Sequence, residues 1–116
     1  MKIRIKDNSV RYRLTQSNVQ QLAETGFICK LTQFINRTFI YAIESVDDAD
    51  LSAAFIDNSI ILKMPKTMIE LLNNSDKVGF DGQSGKLNLL VEKDFTCLDN
   101  TLEDQSDNYP NPKSIC

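Results

Sequence analysis

The chain opens on a strict alternation of apolar and polar residues. Ile3 and Ile5 fall between Lys2, Arg4 and Lys6. After Asp7-Asn8-Ser9 the alternation resumes, with Val10, Tyr12 and Leu14 flanking Arg11 and Arg13. A period of two marks a strand with one wet face, and short polar side chains at 7–9 satisfy nearby backbone groups in a turn. Residues 2–14 therefore read as a hairpin whose outer face carries five cations. Thr15 or Ser17 can cap the helix that follows, with Gln20 three residues after Ser17. Val19, Leu22 and Ala23 mark its buried stripe, and Gly26 is a natural left-handed stop. Residues 27–35 and 38–43 read as two strands around an Asn36-Arg37 turn, the second rich in β-branched and aromatic residues. Cys29 falls in the first of these strands and reads as a core position.

The same grammar returns after an acidic connector of Asp47, Asp48 and Asp50. Residues 51–56 and 59–64 form a second hairpin around Asp57-Asn58. Pro65 suits the first turn of a helix, where its missing N–H costs nothing, and the helix runs on from Thr67 to Leu72. Val78-Gly79-Phe80 is a short strand, 81–85 a glycine-rich loop, and 87–91 an apolar final strand. Laid without a gap over 57–76, residues 7–26 match at Asp7/Asp57, Asn8/Asn58, Ser9/Ser59 and Leu22/Leu72. Two readings account for this echo. Either the halves 2–46 and 52–96 are a duplicated ββαββ unit related by a pseudo-twofold axis and closing into a small barrel, or any turn-strand-helix unit converges on such a pattern.

Composition narrows the class. The 116 residues suit one domain, 1–98, followed by a tail over 99–116 with few apolar residues and prolines at Pro110 and Pro112. A chain of this length buries roughly 65% of its unfolded surface without staples. Histidine is absent, which removes the usual neutral-pH base and metal ligand and every Ser-His or Cys-His nucleophile pair. An enzyme is accordingly disfavoured and no cofactor is expected. No apolar run is long enough to cross a bilayer. Three cysteines without zinc spacing fit a reducing cytoplasm.

Charge is segregated. Residues 1–13 carry Lys2, Arg4, Lys6, Arg11 and Arg13 against Asp7 alone, a local excess of +4, within a chain whose net charge is −3. The stretch 92–107 holds Glu92, Asp94, Asp99, Glu103, Asp104 and Asp107 against Lys93. The five cations are the candidate partner-binding site. They match phosphates in sign, but the groups that read or stack on bases are missing beside them. A protein partner is favoured over nucleic acid, and pairing of the cationic hairpin with the chain's own acidic tail is the competing expectation. Cys97, Asp99, Glu103, Asp104, Asp107 and Cys116 are weak metal candidates, since their spacing fits neither a zinc nor a calcium pattern.

Two resemblances add to this reading. Phe55-Ile56-Asp57-Asn58-Ser59-Ile60-Ile61-Leu62-Lys63-Met64-Pro65-Lys66 through Lys77-Val78-Gly79-Phe80 resembles the swapped-hairpin unit of the AbrB and MazE transcription factors. That resemblance implies two interlocking units, normally from two chains, and DNA binding or antitoxin-like regulation. The present chain departs from it by fusing two halves, and its second hairpin, with Ser52, Ala54 and Ile61, lacks the basic side chains that DNA contact needs. Met1 to Leu22, Val91 to Asn100 and the tail Glu103-Asp104-Gln105-Ser106-Asp107-Asn108-Tyr109-Pro110-Asn111-Pro112 are similar to an uncharacterised family of small bacterial proteins. This second resemblance spans nearly the whole chain and implies no activity. The fold expected is α+β, mostly antiparallel, with two short helices and an acidic tail strapped across the body. The function expected is a non-enzymatic binding or regulatory module, with oligomeric state left open.

Overall fold

The computed structural model describes residues 1–96 and 104–110. The first hairpin forms as the alternation requires: β1 is Lys2–Lys6 and β2 is Ser9–Leu14, joined through Asp7 at φ 49°. Helix α1 spans Gln16–Thr25 and stops at Gly26, whose φ of 75° is left-handed. Strands β3 (Phe27–Gln33) and β4 (Thr38–Val46) form the next antiparallel pair. The second half follows with β5 (Ser52–Ile56), β6 (Ser59–Pro65), α2 (Lys66–Asn74), β7 (Gly79–Ser84) and β8 (Leu87–Lys93). Asp57 takes φ 54° in the turn equivalent to that of Asp7. Pro65 ends β6 in extended backbone immediately before α2, at the boundary where proline removes no helical hydrogen bond.

The strands assemble into two four-stranded sheets, ordered β1-β2-β8-β7 and β3-β4-β6-β5. Each sheet takes one hairpin from either half of the chain. The hairpins are antiparallel, and the central junctions are parallel: Tyr12 lies opposite Val91 in the first sheet, and Ile43 opposite Leu62 in the second. The parallel ladders begin alike, with Asn88 N–H donating to Asn8 O at 3.0 Å and Ile40 N–H to Asn58 O at 2.9 Å. The fold is thus α+β in two sheets, and the described strands do not join into one hydrogen-bonded ring.

The core lies between the sheets and under the two helices. Tyr12, Leu14, Leu89 and Val91 come from the first sheet, Ile28, Ile43, Leu62 and Met64 from the second, and Val19, Leu22, Ile69 and Leu72 from the helices. Tyr12 is fully buried, and its hydroxyl crosses between sheets to donate to Ile60 O at 3.2 Å. Burial pushes its phenol pKa far above the usual value, because the ionised form would lose its hydration.

Several expectations need correction. Cys29 is exposed, because β3 is phased by Ile28, which is 1% exposed and directly faces Ile43. Of the helical stripe, Val19 and Leu22 are buried, whereas Ala23 is exposed. The polar segment 81–85, expected as a loop, is mostly strand: β7 pairs with β8 from Gly79 to Ser84. Its glycines permit close approach. A Cβ on Gly79 would lie 2.5 Å from Val91 O, and one on Gly82 would lie 3.2 Å from Leu51 Cβ.

Candidate functional site

The five sequence-predicted cations share the outer face of the first sheet. Lys2 lies opposite Arg13, and Arg4 opposite Arg11, while Lys6 faces Ser9 at the hairpin tip. Directly paired residues project to the same side of a sheet, and the inner side is taken by Val10, Tyr12 and Leu14. The hairpin therefore does present one basic face.

The neighbouring strand divides that face. Glu92 on β8 is opposite Arg13 in register. Its Oε1 accepts from Arg13 Nε at 3.0 Å and lies 3.7 Å from Arg11 Nε. Just beyond β8, the buried Asp94 has Oδ2 2.9 Å from Lys2 Nζ, outside hydrogen-bond geometry, so that contact is coulombic. The end of the face nearest Asp94 is thus internally compensated. At the other end Arg4 and Lys6 are exposed, and neither meets a carboxylate within ion-pair distance among the described residues. Glu92 and Asp94 are the site residues that sequence reasoning missed as such. Their acidity was visible, but their placement beside β2 follows from the parallel β2–β8 junction, which no local pattern encodes.

The described part of the tail, 104–110, runs elsewhere. Tyr109 bridges Phe95 in parallel, donating to Asp94 O at 2.8 Å and accepting from Thr96 N–H at 2.7 Å. Its ring lies 6.0 Å from that of Phe95 and 4.8 Å from Lys93 Nζ, which donates to Ser75 O at 3.0 Å. The tail then closes the start of α1. A helix leaves its first four N–H groups without internal partners. Here Thr15 N–H donates to Asn18 Oδ1 and Asn18 N–H to Thr15 Oγ1, a capping box built on Asn18 rather than on Gln20. The other two belong to the tail: Gln16 N–H donates to Asp107 O at 3.1 Å, and Ser17 N–H to Asp107 Oδ1 at 3.3 Å. Ser17 Oγ also donates to Asp107 Oδ2. The described tail is therefore a cap on α1, and of its acids Asp107 is turned to the backbone amides and the Ser17 hydroxyl at the start of that helix.

Hydrogen bonds from Ser17, and then from Thr15, hold the Asp107 carboxyl below its ordinary value of 3.8. A carboxylate with a depressed folded pKa stabilises above its unfolded pKa, and that contribution disappears as pH falls through the folded value. The strap is expected to persist at neutral pH and to loosen progressively below about pH 3.8. Protection of the Gln16 and Ser17 amides, taken relative to the intrinsic exchange rate at each pH, should fall in acid in the native protein, and should already be low at pH 7 in Asp107→Ala. Unchanged protection in that variant would mean that the cap does not depend on the carboxylate.

Of the weak metal candidates, Asp104 and Asp107 are described and are turned to local donors. Ser106 N–H donates to Asp104 Oδ1 at 2.9 Å, and hydrogen bonds from Ser106 lower the Asp104 pKa. Cys97, Asp99, Glu103 and Cys116 lie outside the described residues. Among the described residues no three carboxylate or thiol side chains converge on a point that could hold a metal, and no helix is long and apolar enough to cross a membrane.

The comparison with known families agrees with the sequence over nearly its full length, matching from residue 1 to residue 113. The chain belongs to DUF7009, a family of unknown function. No curated protein and no solved structure matches it significantly. The DUF7009 match includes the tail up to residue 113, so the segment that caps α1 lies within the family's span.

Proposed function

We propose that the chain is a non-enzymatic protein-binding module, and that its contact surface is the open end of the cationic face. The observation that carries this reading is the uncompensated pair Arg4 and Lys6 beside Arg11, on edge strand β1 and its neighbour. An edge strand offers unpaired backbone groups to an extended segment, and the cations select an acidic one. Charge of this kind acts mainly on association rate and specificity, and is screened by salt.

A second reading has its own support. The interleaved strand orders, the left-handed aspartates at 7 and 57, and the matching starts of the two parallel ladders favour a duplicated ββαββ unit. That arrangement is the one the swapped-hairpin resemblance implies, and with it comes the nucleic-acid alternative. The protein reading is preferred because the second hairpin is nearly uncharged, so only one of the two equivalent faces could meet a phosphate backbone.

Fluorescence anisotropy separates the two. A labelled acidic peptide is expected to bind at low salt, and to lose at least tenfold in affinity in Arg4→Glu/Arg11→Glu. Labelled single-stranded and duplex DNA of similar length should bind more weakly than the peptide. Tighter binding to DNA transfers the conclusion to the nucleic-acid reading, and an unaffected variant removes the cationic face from either.

A further inference from the structure

The outer face of the second sheet is as apolar as that of the first is charged. Cross-strand register places Phe27 and Leu31 of β3, Ile40 of β4, Ile61 of β6, and Ala54 and Ile56 of β5 on one side, opposite to the side that buries Ile28, Ile43 and Leu62. Phe27 is 48% exposed, Leu31 57% and Ile56 55%. Ala42, at the centre of this face, is only 2% exposed, so flanking side chains cover a small residue and leave the middle of the face flat. Single exposed apolar residues are ordinary on a surface, but a contiguous face of them marks a place that something covers.

We infer that a second copy of this chain covers it, in a twofold dimer that stacks the two faces. Charge argues for that occupant. Among the described residues, the only ones in register on this face that carry a charge at neutral pH are Glu44 and Lys63, directly opposite each other across the β4–β6 junction. The face is therefore neutral and can be complementary to itself, with Glu44 of one copy near Lys63 of the other, as an isologous contact requires. The first sheet's cationic face would repel its own copy. A lipid surface is a poorer match, because membrane-lying surfaces carry several cations around the apolar area, and here one lysine is offset by one glutamate.

Area argues the same way. Four strands spaced about 4.8 Å, each of about seven residues at about 3.3 Å, give a flat footprint of roughly 450 Å². The relief of the side chains, together with Phe34 and Ile35 at the β3–β4 turn, 61% and 108% exposed, brings this to roughly 600 Å² per copy, the lower end for a specific interface. Stacked faces of this kind pack about 10 Å apart, with strands aligned to within about 30°.

Sedimentation equilibrium from about 1 to 200 µM tests the inference. The native chain should approach twice its 13.2 kDa mass across that range. Leu31→Lys/Ile61→Lys should remain at 13.2 kDa with an unchanged near-ultraviolet spectrum. Should that variant unfold, Leu31→Ser on the exposed strand serves in its place. Glu44→Lys and Lys63→Glu should each weaken association at least tenfold, and their combination should restore it. A native chain that stays monomeric at 200 µM overturns the inference, as does a dimer indifferent to these substitutions. So does flotation of a monomer with phosphatidylcholine–phosphatidylglycerol vesicles that the Leu31→Lys/Ile61→Lys variant loses. Arg4→Glu/Arg11→Glu should leave the mass unchanged, so this result and the peptide result stand or fall separately.

Discussion

Residues 1–49 and 50–116, produced separately, are expected to lack a stable monomeric fold, and to regain the native near-ultraviolet spectrum as a 1:1 complex when mixed. The cut falls in the acidic connector, between Val46 and Leu51, and severs no strand. It does remove from each half the partners of both its parallel junctions. In the first half, β2 would lose β8 and β4 would lose β6, leaving two hairpins with no shared sheet. Isolated two-stranded hairpins are at best marginal in water, so the loss amounts to the whole stability of the domain, typically about 5–15 kcal/mol. Dispersed amide resonances from a monomeric half would refute the expectation. Self-association of 1–49 into a folded homodimer would strengthen the duplication reading, since the first half would then substitute for the second.

The second large effect is expected at Tyr12. Replacement by alanine removes a ring that is fully buried between both sheets, and should cost about 3–5 kcal/mol. Tyr12→Phe keeps the ring and loses only the hydrogen bond to Ile60 O. That bond is long, at 3.2 Å, so a loss of about 1 kcal/mol is expected. Urea denaturation of the three proteins gives both numbers. A difference below about 1 kcal/mol for Tyr12→Ala would mean that the sheets do not close over this side chain.

The elements that the sequence made legible are those whose signal is local. The two hairpins, the two helices and the glycine stop at Gly26 follow from period, turn chemistry and a single αL position. What stayed hidden depends on partners far along the chain. Residues 79–84 carry poor strand formers, yet they pair with β8 because Gly79 lets the backbones meet where a side chain would collide with Val91 O. The phase of β3 was ambiguous because Phe27, Cys29 and Leu31 are as apolar as Ile28, and only the register with Ile43 decides which set turns inward.

The candidate site divides along the same line. Five cations on one hairpin face could be read from alternation alone. Which of them remain available could not, because Glu92 reaches Arg13 from a position 79 residues away in sequence. The tail shows the limit most clearly. Its acidity suggested a cationic target, whereas Asp107 is held by the amide of Ser17 and by its hydroxyl. Unsatisfied helix amides are present in every helix and leave no mark in composition.

The parallel junction between β2 and β8 also dictates when this protein can exist. During synthesis Leu14 leaves the ribosome about 80 residues ahead of Lys93, an interval of roughly 4–16 s at about 5–20 residues per second. Throughout that interval β2 has an open edge, although the second sheet that Tyr12 meets can be complete once Pro65 has emerged. The chain therefore cannot mature from its N-terminus onward. It must wait in a partly built, adhesive form until β8 has emerged.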